Sequence, residues 1–145
     1  MANQQRGEVT LELVGKKYTL RPTFEALCEL EDRLNLGILE IFNILHGGDI
    51  RLRFISAVVW SGIWGYDKDK APSYEEVGDM VMKTGIANVI HQGVEEHGSG
   101  SIGVYLLNGV AGEEEVTSNL APKDGDQEGN VKVGAGKKKE GSAST

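Results

Sequence analysis

Residues 6–31 read RGEVTLELVGKKYTLRPTFEALCELE, and this stretch decides the fold. Val9, Leu11 and Leu13 alternate with Glu8, Thr10 and Glu12, the period of a half-buried strand. Gly15-Lys16 supplies a tight turn, because glycine takes positive φ at little cost. Tyr18 and Leu20 then repeat the alternation against Lys17, Thr19 and Arg21. Pro22 has no N–H to give to a ladder and holds Arg21 extended, so the second strand ends there. Thr23 is placed to cap a helix whose first turn carries Glu25, at the positive end of the helix dipole. Phe24, Leu27, Leu30 and Leu34 are expected to form its core face. A two-stranded hairpin is marginal alone and must lie on helices.

Further along, Asn35-Leu36-Gly37 breaks the chain, with glycine just past the helix end. Ile38, Leu39, Ile41, Phe42, Ile44 and Leu45 form a short, very apolar helix ended by Gly47-Gly48. Asp49 is expected to cap a third helix, about Ile50 to Trp64, whose apolar residues cover more than one face and so make it central. Ser73-Tyr74-Glu75-Glu76 is a capping box that starts a fourth helix, and Thr84-Gly85 ends it. Ile86 begins a fifth. Residues 98–103 read as a flexible hinge, and Ile102–Val110 as helical. The fold expected is α+β: an N-terminal β-hairpin packed on four to five helices over residues 6–111.

Composition separates that body from the C-terminal residues. All nine aromatic residues precede Gly112, and residues 112–145 are rich in Gly, Ser and charge. Such a composition cannot bury enough apolar area to offset its ordering entropy, so a disordered tail is expected. The net charge is −7, with 15 acidic and 10 basic residues before Gly112, which argues against a nucleic-acid surface. The single Cys28 excludes a disulfide framework. The polar start MANQQRGE is no signal peptide, and the apolar run Ile55–Ile63 is too short to span a bilayer. A cytoplasmic protein without membrane contact is expected.

Nothing in the chain composes a reactive site. Gly98-Ser99-Gly100-Ser101-Ile102-Gly103 matches the glycine spacing of a dinucleotide loop, but Glu95-Glu96-His97 precedes it where a buried strand should stand. Asp124, Asp126 and Glu128 imitate a calcium loop whose twelfth position falls on Ala135, which cannot coordinate. His46, His91 and His97 lack metal-ligand spacing. Glu75-Glu76 and Glu95-Glu96 are adjacent on helices and point apart, so neither makes a catalytic pair. No enzyme activity, metal or cofactor is expected. Trp60 and Trp64 share a helix face and serve either as core or, for Trp64 with Tyr66, as a partner anchor.

The pattern R-G-E-V-x-L-x-L-x-G-K-x-Y-T-L-R-P-T-F-E-A-L-x-E-L-E, with the later S-Y-E-E-V-G-x-M-V and T-G-I, resembles a tail protein family of gene transfer agents and related siphophages. The resemblance runs from Arg6 to near Ile90. Members of that family are described as tail tube proteins or as tail assembly chaperones. The chaperone class is small and helix-rich, binds the tape-measure protein during assembly and is absent from the finished particle; tube proteins are β-sandwiches stacked in rings. One hairpin and several helices side with the chaperone. The resemblance thus implies a non-enzymatic chaperone that binds the tape-measure protein or other tail proteins in the bacterial cytoplasm, with self-association as a further property. The alternative is a structural tube or connector subunit. The apolar excess of the second and third helices points to Ile41, Phe42, Leu45, Phe54, Trp64 and Tyr66 as partner-binding residues.

Overall fold

The computed structural model describes residues 6–111. The expected tail, with the calcium-like run, lies outside the described residues. Strands β1 (Val9–Leu13) and β2 (Lys16–Leu20) pair antiparallel with Leu13 opposite Lys16 and Val9 opposite Leu20. Seven helical segments come next: α1 (Phe24–Leu34), α2 (Ile38–Gly47), α3 (Leu52–Tyr66), α4 (Tyr74–Thr84), α5 (Ile86–His91), α6 (Val94–His97) and α7 (Gly100–Ala111). The hairpin lies on these helices, as the residue pattern requires. The count exceeds four or five because the chain after Ile86 is broken into three pieces.

The turn falls one residue earlier than expected. Val14 and Gly15 are its two central residues, with φ of 52° and 78°. That geometry matches the right-handed twist of the strands but suits Asn-Gly better than Val-Gly. A β-branched residue at positive φ is strained. Its N–H is held by the Thr84 hydroxyl at 2.9 Å.

The helix ends obey their caps. The Thr23 hydroxyl accepts from Ala26 N–H at 3.1 Å. Ser73 and Glu76 exchange both bonds of the capping box, at 2.9 and 3.1 Å. Elsewhere the expected caps shift. Asn35, not Gly37, takes the left-handed position that ends α1, with φ 55°. Gly37 precedes α2, whose first N–H, on Ile38, is met by the Glu31 carboxylate of α1 at 2.8 Å. Asp49 does not cap α3; it pairs with Arg51 at 3.0 Å, and α3 starts at Leu52 without a side-chain cap.

The core is organised around α3. Every residue from Phe54 to Ile63 is buried, so this helix is covered on all sides, by the hairpin, α1, α4 and α7. Arg21 N–H donates to Gly62 O at 3.0 Å, and a Cβ on Gly62 would lie 2.6 Å from Leu20 Cβ. The α7 contact includes a buried polar link. Ser61 Oγ donates to Val58 O at 2.7 Å, which leaves the Tyr105 hydroxyl to donate to Ser61 Oγ at 2.7 Å. Burial pushes the Tyr105 phenol above its ordinary pKa, so it stays protonated.

Residues 98–103 are not a spacer. Gly100, Ser101, Ile102 and Gly103 are buried at the start of α7. Gly100 has φ of 87°, and a Cβ there would lie 2.8 Å from Ile90 O. Gly100 therefore serves a tight entry into the core.

Two substitutions test this packing. Val14→Asn should raise the thermal midpoint, with a gain of about 1 kcal/mol, because it relieves left-handed strain at an exposed site. Gly62→Ala should cost about 1–3 kcal/mol, since the added methyl must displace Leu20 or tilt α3. Thermal and urea melts read both.

Candidate partner-binding surface

Helix α2 carries six apolar side chains in ten residues, yet only Ile41 is buried. Ile38, Phe42, Ile44 and Leu45 are half-buried, and Leu39 is 64% exposed. The helix packs mainly on α7 and less on α1. Its last turn is pinned by His46, whose Nδ1–H donates to Phe42 O at 2.9 Å and whose ring lies 4.4 Å from the Phe42 ring. A helix apolar nearly all round is normally enclosed. This one is held at the outside of the body.

A second cluster runs along the second half of α3, between α1 and the start of α4. Trp60 stacks on Trp64 with ring centroids 5.7 Å apart. The Arg33 guanidinium lies between Trp60 and Tyr74, at 4.5 and 4.4 Å from their centroids. Lys68 sits 5.1 Å from the Trp64 ring and bonds to Glu25 at 2.9 Å. The hydrogen bond and the charge of Glu25 raise the Lys68 pKa above its ordinary value. These cations cover aromatic faces that would otherwise meet water. Phe24, 83% exposed, and Tyr66, 47% exposed, lie on the elements that meet there.

The six residues expected to bind a partner divide between interior and surface. Ile41 is fully buried and Phe54 is 5% exposed, so both fill the core and present no surface in this conformation. Phe42 and Leu45 are partly accessible on α2, and Trp64 and Tyr66 at the far end of α3. The structure adds Leu39 and Phe24 to the accessible apolar residues. For Phe24 this corrects the expected core face of α1, where Ala26 and Leu30 are the residues buried. The small Ala26 lets α1 approach Gly65 of α3, which turns the helix so that Phe24 faces out. The sequence carries a signal for this: Phe24 is the first helical residue, one turn ahead of the rest of the stripe.

Among the described residues, no three His, Cys, Asp or Glu side chains are grouped to hold a metal. No helix among them is long and apolar enough to cross a membrane. A family model described as "phage tail tube protein, GTA-gp10" matches residues 6–92. The chain belongs to that family. No curated protein and no solved structure matches the chain significantly. The match covers the hairpin and α1 to α5, so both apolar clusters fall within it, while α7, which supports α2, lies beyond it. Other tail proteins are the partners this phage tail family implies.

The two kinds of residue should separate in a melt. Ile41→Ala should lose about 2–5 kcal/mol by opening a cavity. Leu39→Ser and Phe24→Ser should stay within about 0.5 kcal/mol of the parent, as surface substitutions do.

Proposed function

We propose that this tail protein is a tail assembly chaperone that binds the tape-measure protein during tail morphogenesis, without catalysing a reaction. The observation that carries the reading is α2, which leaves five of its six apolar side chains at least partly open to solvent. A long helical tape measure has apolar stripes that aggregate until the tail encloses them. An accessible apolar helix flanked by α7 and α1 offers such a stripe a place to pack, in the helix-and-groove manner. Because most of these side chains are already half-buried, each adds less than the ~1.5–3 kcal/mol of full burial, so capture draws on several of them together and is reversible. The chaperone works in the host cytoplasm and is left out of the finished particle.

The second reading, a structural tube or connector subunit, is favoured by the words "tail tube protein" in the family's description. The described residues support it less, since their only sheet has two strands. A stacked ring of sandwiches draws on many more.

Co-expression with the cognate tape measure should raise its soluble yield and give a co-purifying complex. Leu39→Asp should weaken that complex at least about tenfold, because it places a charge in the contact, while the melting temperature stays near the parent's. Mass spectrometry of purified particles should not find the chain. Abundant chain in particles, or regular tubes formed by the purified protein, would establish the tube reading instead.

A further inference from the structure

The two edges of the hairpin are treated differently. With a two-residue turn, Leu13–Lys16, Leu11–Tyr18 and Val9–Leu20 are the hydrogen-bonded pairs of the ladder. The N–H and C=O groups of Thr10 and Glu12 on β1, and of Lys17 and Thr19 on β2, therefore point outward. On β1 the edge is plugged at Glu12 by a side chain. Glu12 N–H donates to Gln92 Oε1 at 2.7 Å, and Gln92 Nε2 donates to Glu12 O at 2.6 Å. The carboxamide thus stands where the peptide group of a neighbouring strand would be. Thr84 holds Val14 N–H at one end, and Asn108 donates to Gly7 O at the other, at 3.1 Å.

On β2 the outward series runs through Lys17, Thr19 and Arg21. Arg21 N–H is taken by Gly62 O. No hydrogen bond is made by the outward groups of Lys17 and Thr19 among the described residues. The Lys16 and Lys17 side chains are exposed and form no ion pair there, although Lys16 reaches over the Tyr18 ring at 5.5 Å. This open edge is cationic in a chain of net charge −7.

We propose that the Lys17–Thr19 edge of β2 is a strand-addition site for a short, extended, acidic segment of another protein. The backbone offers two donors and two acceptors in ladder geometry, and such main-chain bonds supply the affinity of strand addition. The lysines supply the choice of partner. Carboxylates on the face of the added segment that Lys17 shares would lie beside Lys17, with Lys16 on the opposite face, whereas a basic segment is repelled. The same charges disfavour a second copy. Antiparallel pairing through residues 17 and 19 centres on Tyr18 and sets the two copies' Lys17 side chains diagonally on one face, about 7–8 Å apart. Gly62 closes the site at Arg21, so the segment enters from the Lys16 end and pairs over only a few residues. The site is independent of α2 and does not depend on the tape-measure reading.

The probe is a synthetic peptide of alternating glutamate and valine, with a lysine–valine peptide of equal length as counterpart. Each is titrated into the full-length chain while amide hydrogen exchange is monitored by NMR. The acidic peptide should slow exchange at Lys17 and Thr19 about tenfold or more, leaving the amide of Glu12 unchanged, because new backbone bonds form only on the open edge. Lys17→Gln should weaken binding by about threefold to tenfold, less so at high salt, while Lys16→Gln, on the other face of the strand, should weaken it less, and both leave the hairpin ladder intact. Equal binding of the basic peptide overturns the proposal, as does binding with no protection at Lys17 and Thr19, or no binding at millimolar peptide. Concentration-dependent protection of these amides in the peptide-free chain also overturns it and makes a second copy the occupant.

Discussion

The structure depends on enclosing α3. A helix with ten consecutive buried residues has no polar stripe to leave in water, so it must be covered all round. That demand explains why a hairpin too small to stand alone is nonetheless ordered. Leu11, Leu13 and Leu20 are fully buried where the sheet is laid on the helices, and the ladder then orders the rest of the hairpin. The closeness of this contact is limited by backbone rather than side chain. Gly62 and Gly65 bring α3 directly against Leu20 and Ala26, and a methyl group at either position would collide. Arg21 is the point where sheet, helix and chain direction are tied together, because its N–H reaches α3 and Pro22 then turns the chain into α1.

Enclosing α3 leaves α2 over. The faces of α3 are occupied by the hairpin, α1, α4 and α7, and α2 contacts mainly α7. Its apolar residues exceed what one line of contact can bury. Meanwhile one polar link from another helix fixes α2, the Glu31 carboxylate at its start, whereas His46 bonds only within the helix's own last turn. The start of the helix is thus fixed by a carboxylate while five of its six apolar side chains stay partly open to solvent, an arrangement suited to a surface that must be displayed and later covered.

Much of this is legible in the residues. Strand alternation, the Thr23 cap, the capping box at Ser73 and the centrality of α3 all rest on local periodicity or local hydrogen bonding, which the sequence carries directly. The misplacements share another cause. Val14 takes the turn because Thr84, seventy residues away, holds its N–H. Asp49 gives up the α3 cap to a local ion pair with Arg51. Gly98–Gly103 has the composition of a loose linker, and only the approach of Ile90 O shows why glycine is needed. For the candidate surface, apolarity marks the right helix but not the right residues. Ile41 and Phe42 are neighbours of similar character, and only the position of α7 sends one inward and leaves the other partly open.

The hairpin edges bear on the choice between chaperone and tube. Subunits joined into a ring by continuous β-pairing need two open edges each, one to give and one to receive, since a head-to-tail interface joins two different surfaces of the same chain. Here β1 is occupied by Gln92 and Thr84, and opening it would cost the hydrogen bonds that hold α5 and its flanking residues to the hairpin. β2 remains available only up to Arg21. Among the described residues a single edge thus stays open at Lys17 and Thr19, which takes one extended partner and does not by itself propagate the sheet. Termination of this kind hinders a polymer subunit and suits a factor that engages other tail proteins transiently. It therefore supports the chaperone reading by a route separate from the exposed surface of α2.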